Sequence, residues 1–126
     1  MSKILYIGLD YYHYPTAICD AVKLDGHSID FYPIEPRNIF FKVSRYVAKD
    51  SYRKALDEYH RDIITKTSTV SYDKVFFITT HFFSEENLAL LRQTHISANF
   101  IAYHWDSIEQ YNYLKTLKYF DKTTSF

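Results

Sequence analysis

Three short apolar runs, separated from one another by segments with helical spacing, constrain the fold of this chain more than any other feature. The runs are residues 3–8 (KILYIG), 73–79 (DKVFFIT) and 99–103 (NFIAY). A continuous apolar run of this length is typical of a strand that is covered on both faces. Strands of this kind that alternate with helices predict a parallel sheet with right-handed crossover connections.

The segments between these runs have the pattern of helices. The first has Pro15 in its first turn and stops at Gly26. Residues 37–67 contain no glycine or proline, which predicts one long helix, or two with a break near Asp50 and Ser51. Ser84 is the predicted N-cap of the next helix, and residues 107–118 form the last one. Apolar faces of the long segment are marked by Phe41, Val43, Tyr46, Val47, Leu56, Tyr59, Ile63 and Ile64.

Two further strands complete the predicted sheet. Residues 27–33 (HSIDFYP) alternate apolar and polar side chains and end in a proline, which favours an edge position. Residues 122–126 begin a fifth strand, and residues 73–79 should form a central one. The sequence therefore predicts an α/β fold, a Rossmann-like open three-layer α/β/α sandwich with a mostly parallel sheet of four to five strands. One domain spans residues 1–126 in this prediction.

Composition argues against several classes of protein. Fifteen basic residues balance fifteen acidic ones, so no global charge attracts nucleic acid. The single cysteine, Cys19, cannot form an internal disulfide, which fits a reducing compartment and a role in helix packing. No run approaches the roughly 20 apolar residues of a transmembrane segment, and the N-terminus lacks the layout of a signal peptide. We expect a cytoplasmic protein, with peripheral attachment to the inner face of the membrane as an alternative.

Motifs for the common cofactors are missing from the chain. The loop after the first strand has none of the later glycines that a dinucleotide pyrophosphate needs. The patterns GxxxxGK[ST], HExxH and CxxC do not occur, which argues against a P-loop nucleotide site and a structural zinc site. We therefore expect no cofactor and no metal to be bound by this domain.

Polar and aromatic side chains follow the first, third and fourth strands, at the edge where parallel sheets bind ligands. The candidates are Asp10, Tyr12 and His13 after the first strand, Thr80 and His81 after the third, and Trp105, Asp106 and Ser107 after the fourth. A histidine near a carboxylate can act as a general base, and an indole can stack on a sugar ring. The alternative for each group is structural, namely a capped loop or, for Asp106, a helix N-cap.

The remaining histidines and charges are interpreted as structural. His27, His60 and His95 are expected to be structural or solvent-exposed. Residues 49–66 mix both signs of charge, which is typical of a solvated helix face held by i,i+4 pairs. The thirteen tyrosines show no repeating motif, and we assign them to packing.

Four short blocks are shared with a known family. They are Tyr72-Asp73-Lys74-Val75, Leu90-Leu91-Arg92, Tyr103-His104-Trp105-Asp106-Ser107 and Phe120-Asp121-Lys122. With these blocks the chain resembles the N-terminal half of bacterial capsule and lipopolysaccharide biosynthesis glycosyltransferases over nearly its whole length. It departs from the family pattern at His104 and at Thr79-Thr80-His81.

The resemblance implies the acceptor-side half of a two-domain GT-B enzyme of surface polysaccharide biosynthesis. The partners would then be the missing C-terminal domain and a sugar or polysaccharide acceptor. A nucleotide sugar would be the donor in the full enzyme, and this half alone would be inactive. The implied base that deprotonates the acceptor hydroxyl is Asp106, His81 or His13, in that order. The implied substrate-binding residues are Asp10, Tyr12, Thr80, Trp105 and Ser107.

Two other functions stay open on the residues alone. One is a stand-alone flavodoxin-like module that binds a small ligand or a protein and has no catalytic activity. The other is a phosphoacceptor receiver domain, which Asp10 would fit, although the third strand ends in threonines where the accepting aspartate should lie. If a cleft face is left uncovered, self-association through Trp105 and Phe82 would give a homodimer.

Overall fold

The computed structural model describes residues 2–8, 14–36, 38–78, 83–104 and 119–125. Within these ranges the strands are β1 (Lys3–Gly8), β2 (Ser28–Pro33), β3 (Lys74–Ile78), β4 (Asn99–His104) and β5 (Lys122–Ser125). The helices there are α1 (Tyr14–Leu24), α2 (Ile39–Val47), α3 (Lys49–Thr67) and α4 (Glu85–Thr94). The helix predicted over residues 107–118 lies outside the described residues.

The five strands form one parallel sheet in the order β2-β1-β3-β4-β5. Ile7 of β1 pairs with Tyr32 on one side and with Phe77 on the other. β3 is central and β2 lies at an edge, as the sequence predicted. The order reverses between β1 and β3, which is the flavodoxin-like arrangement of an open α/β sheet. The predicted fold class is therefore confirmed.

Helices cover both faces of the sheet. Alternate side chains of each strand point to opposite faces, and the apolar ones on each face are buried beneath these helices. The larger core lies beneath α3 and α4 and includes Leu5, Ile7, Ile63, Ile64, Val75, Phe77, Leu88, Leu91 and Phe100. The smaller core lies beneath α1 and consists of Tyr6, Ile29 and Ile78, against which Ile18, Cys19 and Val22 pack. The packing role predicted for Cys19 is confirmed by these contacts.

A break at Ala48 divides the long helical segment into α2 and α3. The side chain of Asn38 accepts a hydrogen bond from the backbone N–H of Phe41 at 3.0 Å and caps α2. The N–H of Ala48 donates to the carbonyl oxygen of Ser44, and the carbonyl oxygen of Ala48 accepts from Tyr52, each at 2.9 Å. The segment is thus two helices, with the break two residues before the predicted position.

Ser84 caps α4, as the sequence predicted. Its hydroxyl oxygen accepts a hydrogen bond from the backbone N–H of Asn87 at 3.1 Å. Glu85 and Glu86 occupy the first turn, where carboxylates interact favourably with the helix dipole. The start of α4, which follows the central strand, is therefore well defined.

The exposed side of α3 carries the charge pairs that its sequence indicated. Arg53 pairs with Asp57, and Lys66 pairs with Asp62 at 2.9 Å, both at i,i+4 spacing. The expectation of a solvated, mixed-charge helix face is confirmed. Among the helices that the structure describes, α3 included, none has the length and apolar character needed to cross a bilayer.

Candidate functional site

All eight residues predicted to form the site lie outside the described residues. They are Asp10, Tyr12, His13, Thr80, His81, Trp105, Asp106 and Ser107. Phe82, expected to join Trp105 in self-association, also lies outside them. Along the chain these residues follow β1, β3 and β4, and their roles stay predictions. The described residues show what surrounds the carboxyl edge of the sheet.

The carboxyl edge is closely packed where β1 ends. The carbonyl oxygen of Gly8 accepts a hydrogen bond from the backbone N–H of Ile34 at 2.8 Å. A Cβ atom on Gly8 would lie 2.6 Å from Cε1 of Tyr6 and 3.3 Å from Cβ of Ile78. The Tyr6 ring is fully buried and cannot move aside easily. Glycine is therefore required at this position, where the strand order reverses.

Glu35 follows β2 and forms hydrogen bonds with one side chain of α2 and one of α3. Its carboxylate accepts hydrogen bonds from the guanidinium of Arg45 and from the hydroxyl of Tyr52. Burial, together with the hydrogen bond to Glu35, raises the pKa of Tyr52 to about 12, so this hydroxyl keeps its proton at neutral pH. Dinucleotide-binding folds use an acid in this region to bind a ribose. Here the same kind of residue holds two helices together.

His60 of α3 connects the end of β2 with the residues before α4. Its Nε2–H donates to the carbonyl oxygen of Ile34 at 2.6 Å. The imidazole stacks on Phe83 with ring centroids 3.8 Å apart, and Phe83 meets Phe77 of β3 edge-on. Burial lowers the pKa of His60 to about 4, so the ring is neutral at pH 7. The structural interpretation of this histidine is confirmed.

The α2 helix presents most of its apolar side chains to solvent. Phe41 and Ser44 are buried, and the ring of Phe41 lies edge-on to Tyr52 of α3. The opposite side of the helix carries five large apolar side chains, each between 51% and 79% exposed: Ile39, Phe40, Val43, Tyr46 and Val47. Their spacing is that of a continuous stripe along one side of a helix. These five residues are named the α2 face.

Sequence reasoning listed Val43, Tyr46 and Val47 among the residues that mark apolar helix faces, and it did not indicate that they point outward. Periodicity shows which residues share a side of a helix but not which side meets the core. The available signal was the ratio of apolar to polar residues. In the nine residues of α2 only Lys42, Ser44 and Arg45 are polar, so one helix side cannot bury all the others.

The described residues line open depressions on two sides of the molecule. One of about 240 Å³ lies at the amino edge of the sheet, between residues 68–72 and residues 94–98. The other, of about 420 Å³, is an open charged groove along the exposed side of α3. No group of three or more His, Cys, Asp or Glu side chains in the described ranges could hold a metal ion. Both depressions are open to solvent, and the α2 face is an exposed apolar surface.

Comparison with known proteins identifies the fold. The response regulator TrrA of Thermotoga maritima, solved in complex with Mg²⁺–BeF, has a TM-score of 0.59 and 14% sequence identity over 100% of this chain and 87% of that chain. A chain in the complex of the histidine kinase ThkA with TrrA has a TM-score of 0.59 and 15% identity over 100% and 86%. No family model matches the chain, and no curated protein matches it. At this identity the likeness shows the fold alone.

The expected relationship to capsule and lipopolysaccharide glycosyltransferases is wrong, and so is sugar transfer in surface polysaccharide biosynthesis as the function. The two solved structures described above contain the response regulator TrrA, which has a flavodoxin-like fold. The residues of the first block on which the resemblance rests make structural contacts instead. Tyr72 donates to the carboxylate of Asp30 at 2.7 Å, and Asp73 accepts from the backbone N–H of Lys3 at 2.8 Å. The first contact reaches from the residues before β3 to β2, and the second joins the residue before β3 to the neighbouring strand β1, so both hold the sheet together.

The other two blocks that the structure describes are also structural. Arg92 of α4 binds both carboxylate oxygens of Asp121, at 2.8 and 3.0 Å, and its guanidinium lies 4.7 Å from the ring centroid of Phe100. Asp121 also accepts from the backbone N–H of Phe100 at 2.8 Å. These contacts tie α4 and β4 to the residue before β5. By its strand order and by its likeness to the solved structures, the chain shares the flavodoxin-like fold of response regulators.

Proposed function

We propose that this chain is a protein-binding module of flavodoxin-like fold, with the α2 face as its binding surface and no catalytic activity of its own. The exposed α2 face is the observation that carries the proposal. From the exposed fractions, its side chains leave on the order of 450 Å² of largely apolar surface in water. The largest apolar patch on a monomeric protein is typically about 300–600 Å² and is often functional, and the α2 face falls in that range.

The composition of the α2 face suits a protein partner. Phe40 and Tyr46 supply large, stiff rings of the kind that dominate binding energy at interfaces. Lys42 borders the face, and α2 has no acidic residue, so contact with a partner need not bury an unpaired carboxylate. The centre of the surface is apolar and its charge lies at the border, as in interfaces between proteins.

The α2 face is also held rigidly before any partner arrives. Asn38 caps the start of α2, and Glu35 binds Arg45 near its end. Phe41 anchors the inner side of the helix against α3. A surface that is ordered in the free protein loses less conformational entropy when it binds.

The fold is compatible with a protein partner, whereas the sequence argues against phosphoryl transfer. TrrA has been solved in complex with a histidine kinase, so a protein of this fold binds another protein. Fold alone does not carry function over. After Ile78 this sequence reads TTHFFS, with no carboxylate in the place where a receiver domain needs its accepting aspartate. We therefore propose binding without phosphorylation.

Affinity capture with matched variants tests the proposal. The baits are the wild-type protein, Val43→Lys in the α2 face and Leu24→Lys at the end of α1. Leu24 is 87% exposed and serves as the control for adding a charge at an exposed apolar position. We expect at least one protein of the source organism to bind the wild type and Leu24→Lys and to be lost with Val43→Lys. The same set of bound proteins on all three baits would contradict the assignment.

A further inference from the structure

We propose that the partner of the α2 face is a second copy of this chain, packed antiparallel about a two-fold axis that passes Val43. This inference rests on the proposed function, because it names the occupant of the same surface. It is carried by the symmetry of the face about its centre. Ile39 and Phe40 precede Val43 by four and three residues, and Tyr46 and Val47 follow it by three and four.

An antiparallel pair about this axis matches each residue with a residue of the same kind. Phe40 of one copy meets Tyr46 of the second copy, and Ile39 meets Val47. Val43 meets its own equivalent on the axis. Ring then lies against ring and branched aliphatic against branched aliphatic, which is the self-complementarity that a two-fold interface requires. Aromatic pairs across such an interface add stabilisation beyond their buried area.

The position of α2 leaves room for this approach. Its buried residues, Phe41 and Ser44, lie on the side opposite the α2 face, so the face points away from the sheet. Two helices can then approach to the usual interaxial distance of about 8–10 Å. Lys42 is exposed at the border and can keep its ammonium in water, while Arg45 is held by Glu35. No acidic side chain of α2 is buried by the contact.

The area of the face is close to what a specific dimer needs. Two α2 faces together would bury about 900 Å² of largely apolar surface, against roughly 1,200 Å² at the lower end of stable interfaces. An interface of this size predicts a weak, concentration-dependent dimer.

Sedimentation velocity over a wide range of protein concentration tests the dimer. We expect the wild type to pass from monomer to dimer as concentration rises. Val43→Lys and Val43→Glu should each weaken dimerisation at least about tenfold, because like charges then meet on the axis. Leu24→Lys should behave as the wild type. Circular dichroism and thermal unfolding should show that all three variants keep the wild-type fold, since both positions are exposed.

An equimolar mixture of Val43→Lys and Val43→Glu tests the register. Opposite charges would then meet at the axis, so the mixture should dimerise although neither variant does so alone. A mixture that stays monomeric would overturn the two-fold at Val43. A wild type that is monomeric at every concentration would overturn the dimer itself. Capture of another protein by the wild type, lost in Val43→Lys, would in that case leave the proposed function standing.

Discussion

At the scale of single residues, His60 links the stability of the protein to pH. Burial lowers its pKa in the folded state to about 4, below the ordinary value of 6.5. Between about pH 6.5 and pH 4, the unfolded chain therefore binds a proton at His60 and the folded protein does not. Stability from this group is complete above pH 6.5 and is lost as the pH falls from there towards 4.

We expect His60→Gln to remove most of this pH dependence. In the wild type, this histidine should lower the free energy of unfolding by about 2 kcal/mol between pH 7 and pH 5. Glutamine does not titrate and can still donate to the carbonyl of Ile34. Urea unfolding at the two pH values measures the difference. The pH dependence of the free energy of unfolding that remains in the variant should come from His95 and from carboxylates. Burial also lowers the pKa of His95. If the free energy of unfolding of the variant depended on pH as strongly as that of the wild type, the assignment to His60 would be wrong.

Gly8→Ala should destabilise the protein by about 1–3 kcal/mol, because the new methyl group would overlap the buried ring of Tyr6. The same substitution in a Tyr6→Leu background should cost less, since the smaller side chain leaves space. Chemical denaturation of the four proteins in this cycle gives the coupling. Equal costs in both backgrounds would show that the ring contact is not the cause.

The side-chain partners of individual residues could not be predicted from the sequence. Glu35 contacts residues ten and seventeen positions away, and His60 contacts a carbonyl twenty-six positions away. Such pairs depend on how α2 and α3 pack, which no local pattern encodes. The N-cap of Ser84 was predictable, because a cap needs only the residues that follow it.

At the scale of elements, the strands were predicted to within one or two residues. Short apolar runs indicated β1, β3 and β4, and the alternation of apolar and polar residues before Pro33 indicated β2. The break between α2 and α3 was predicted less well. Ala48 is neither glycine nor proline and offers no side-chain cap to α3. The contacts of Glu35 with both helices lie across the break, so tertiary packing sets its position.

Glu35→Ala should loosen α2 more than it disturbs the sheet. Loss of the carboxylate leaves Arg45 without its counterion and Tyr52 without its acceptor, which should cost about 1–3 kcal/mol. Hydrogen exchange should become faster in the amides of α2, while those of β1 and β3 keep their protection. Glu86→Ala is the matched control, because Glu86 is 84% exposed and its ion pair with Arg61 is 3.6 Å long. Equal effects of both variants would contradict a special role for Glu35.

At the scale of the whole molecule, the architecture predicted from the sequence was correct and the predicted function was wrong. Alternating apolar runs and helices are enough to indicate an open parallel sheet, and response regulators with 14–15% identity reach the same arrangement. Function lies in side chains on the surface of that arrangement. Within the described residues, the blocks that suggested a transferase make contacts that hold the fold together. Val43, Tyr46 and Val47 of the α2 face were noted only as apolar positions of a helix.

Phosphorylation is the activity by which a binding module and a receiver domain of the same fold can be told apart. We expect incubation with Mg²⁺ and acetyl phosphate to leave the intact mass unchanged. The residues from Ile78 to Ser84 contain no carboxylate, and Glu85 belongs to the exposed first turn of α4. A response regulator that accepts this donor, treated in parallel, is the control. A phosphoryl adduct sensitive to hydroxylamine would show an acyl phosphate and would return the chain to the phosphoacceptor class. An unchanged mass would agree with a module that binds through the α2 face, since that surface needs no chemical switch.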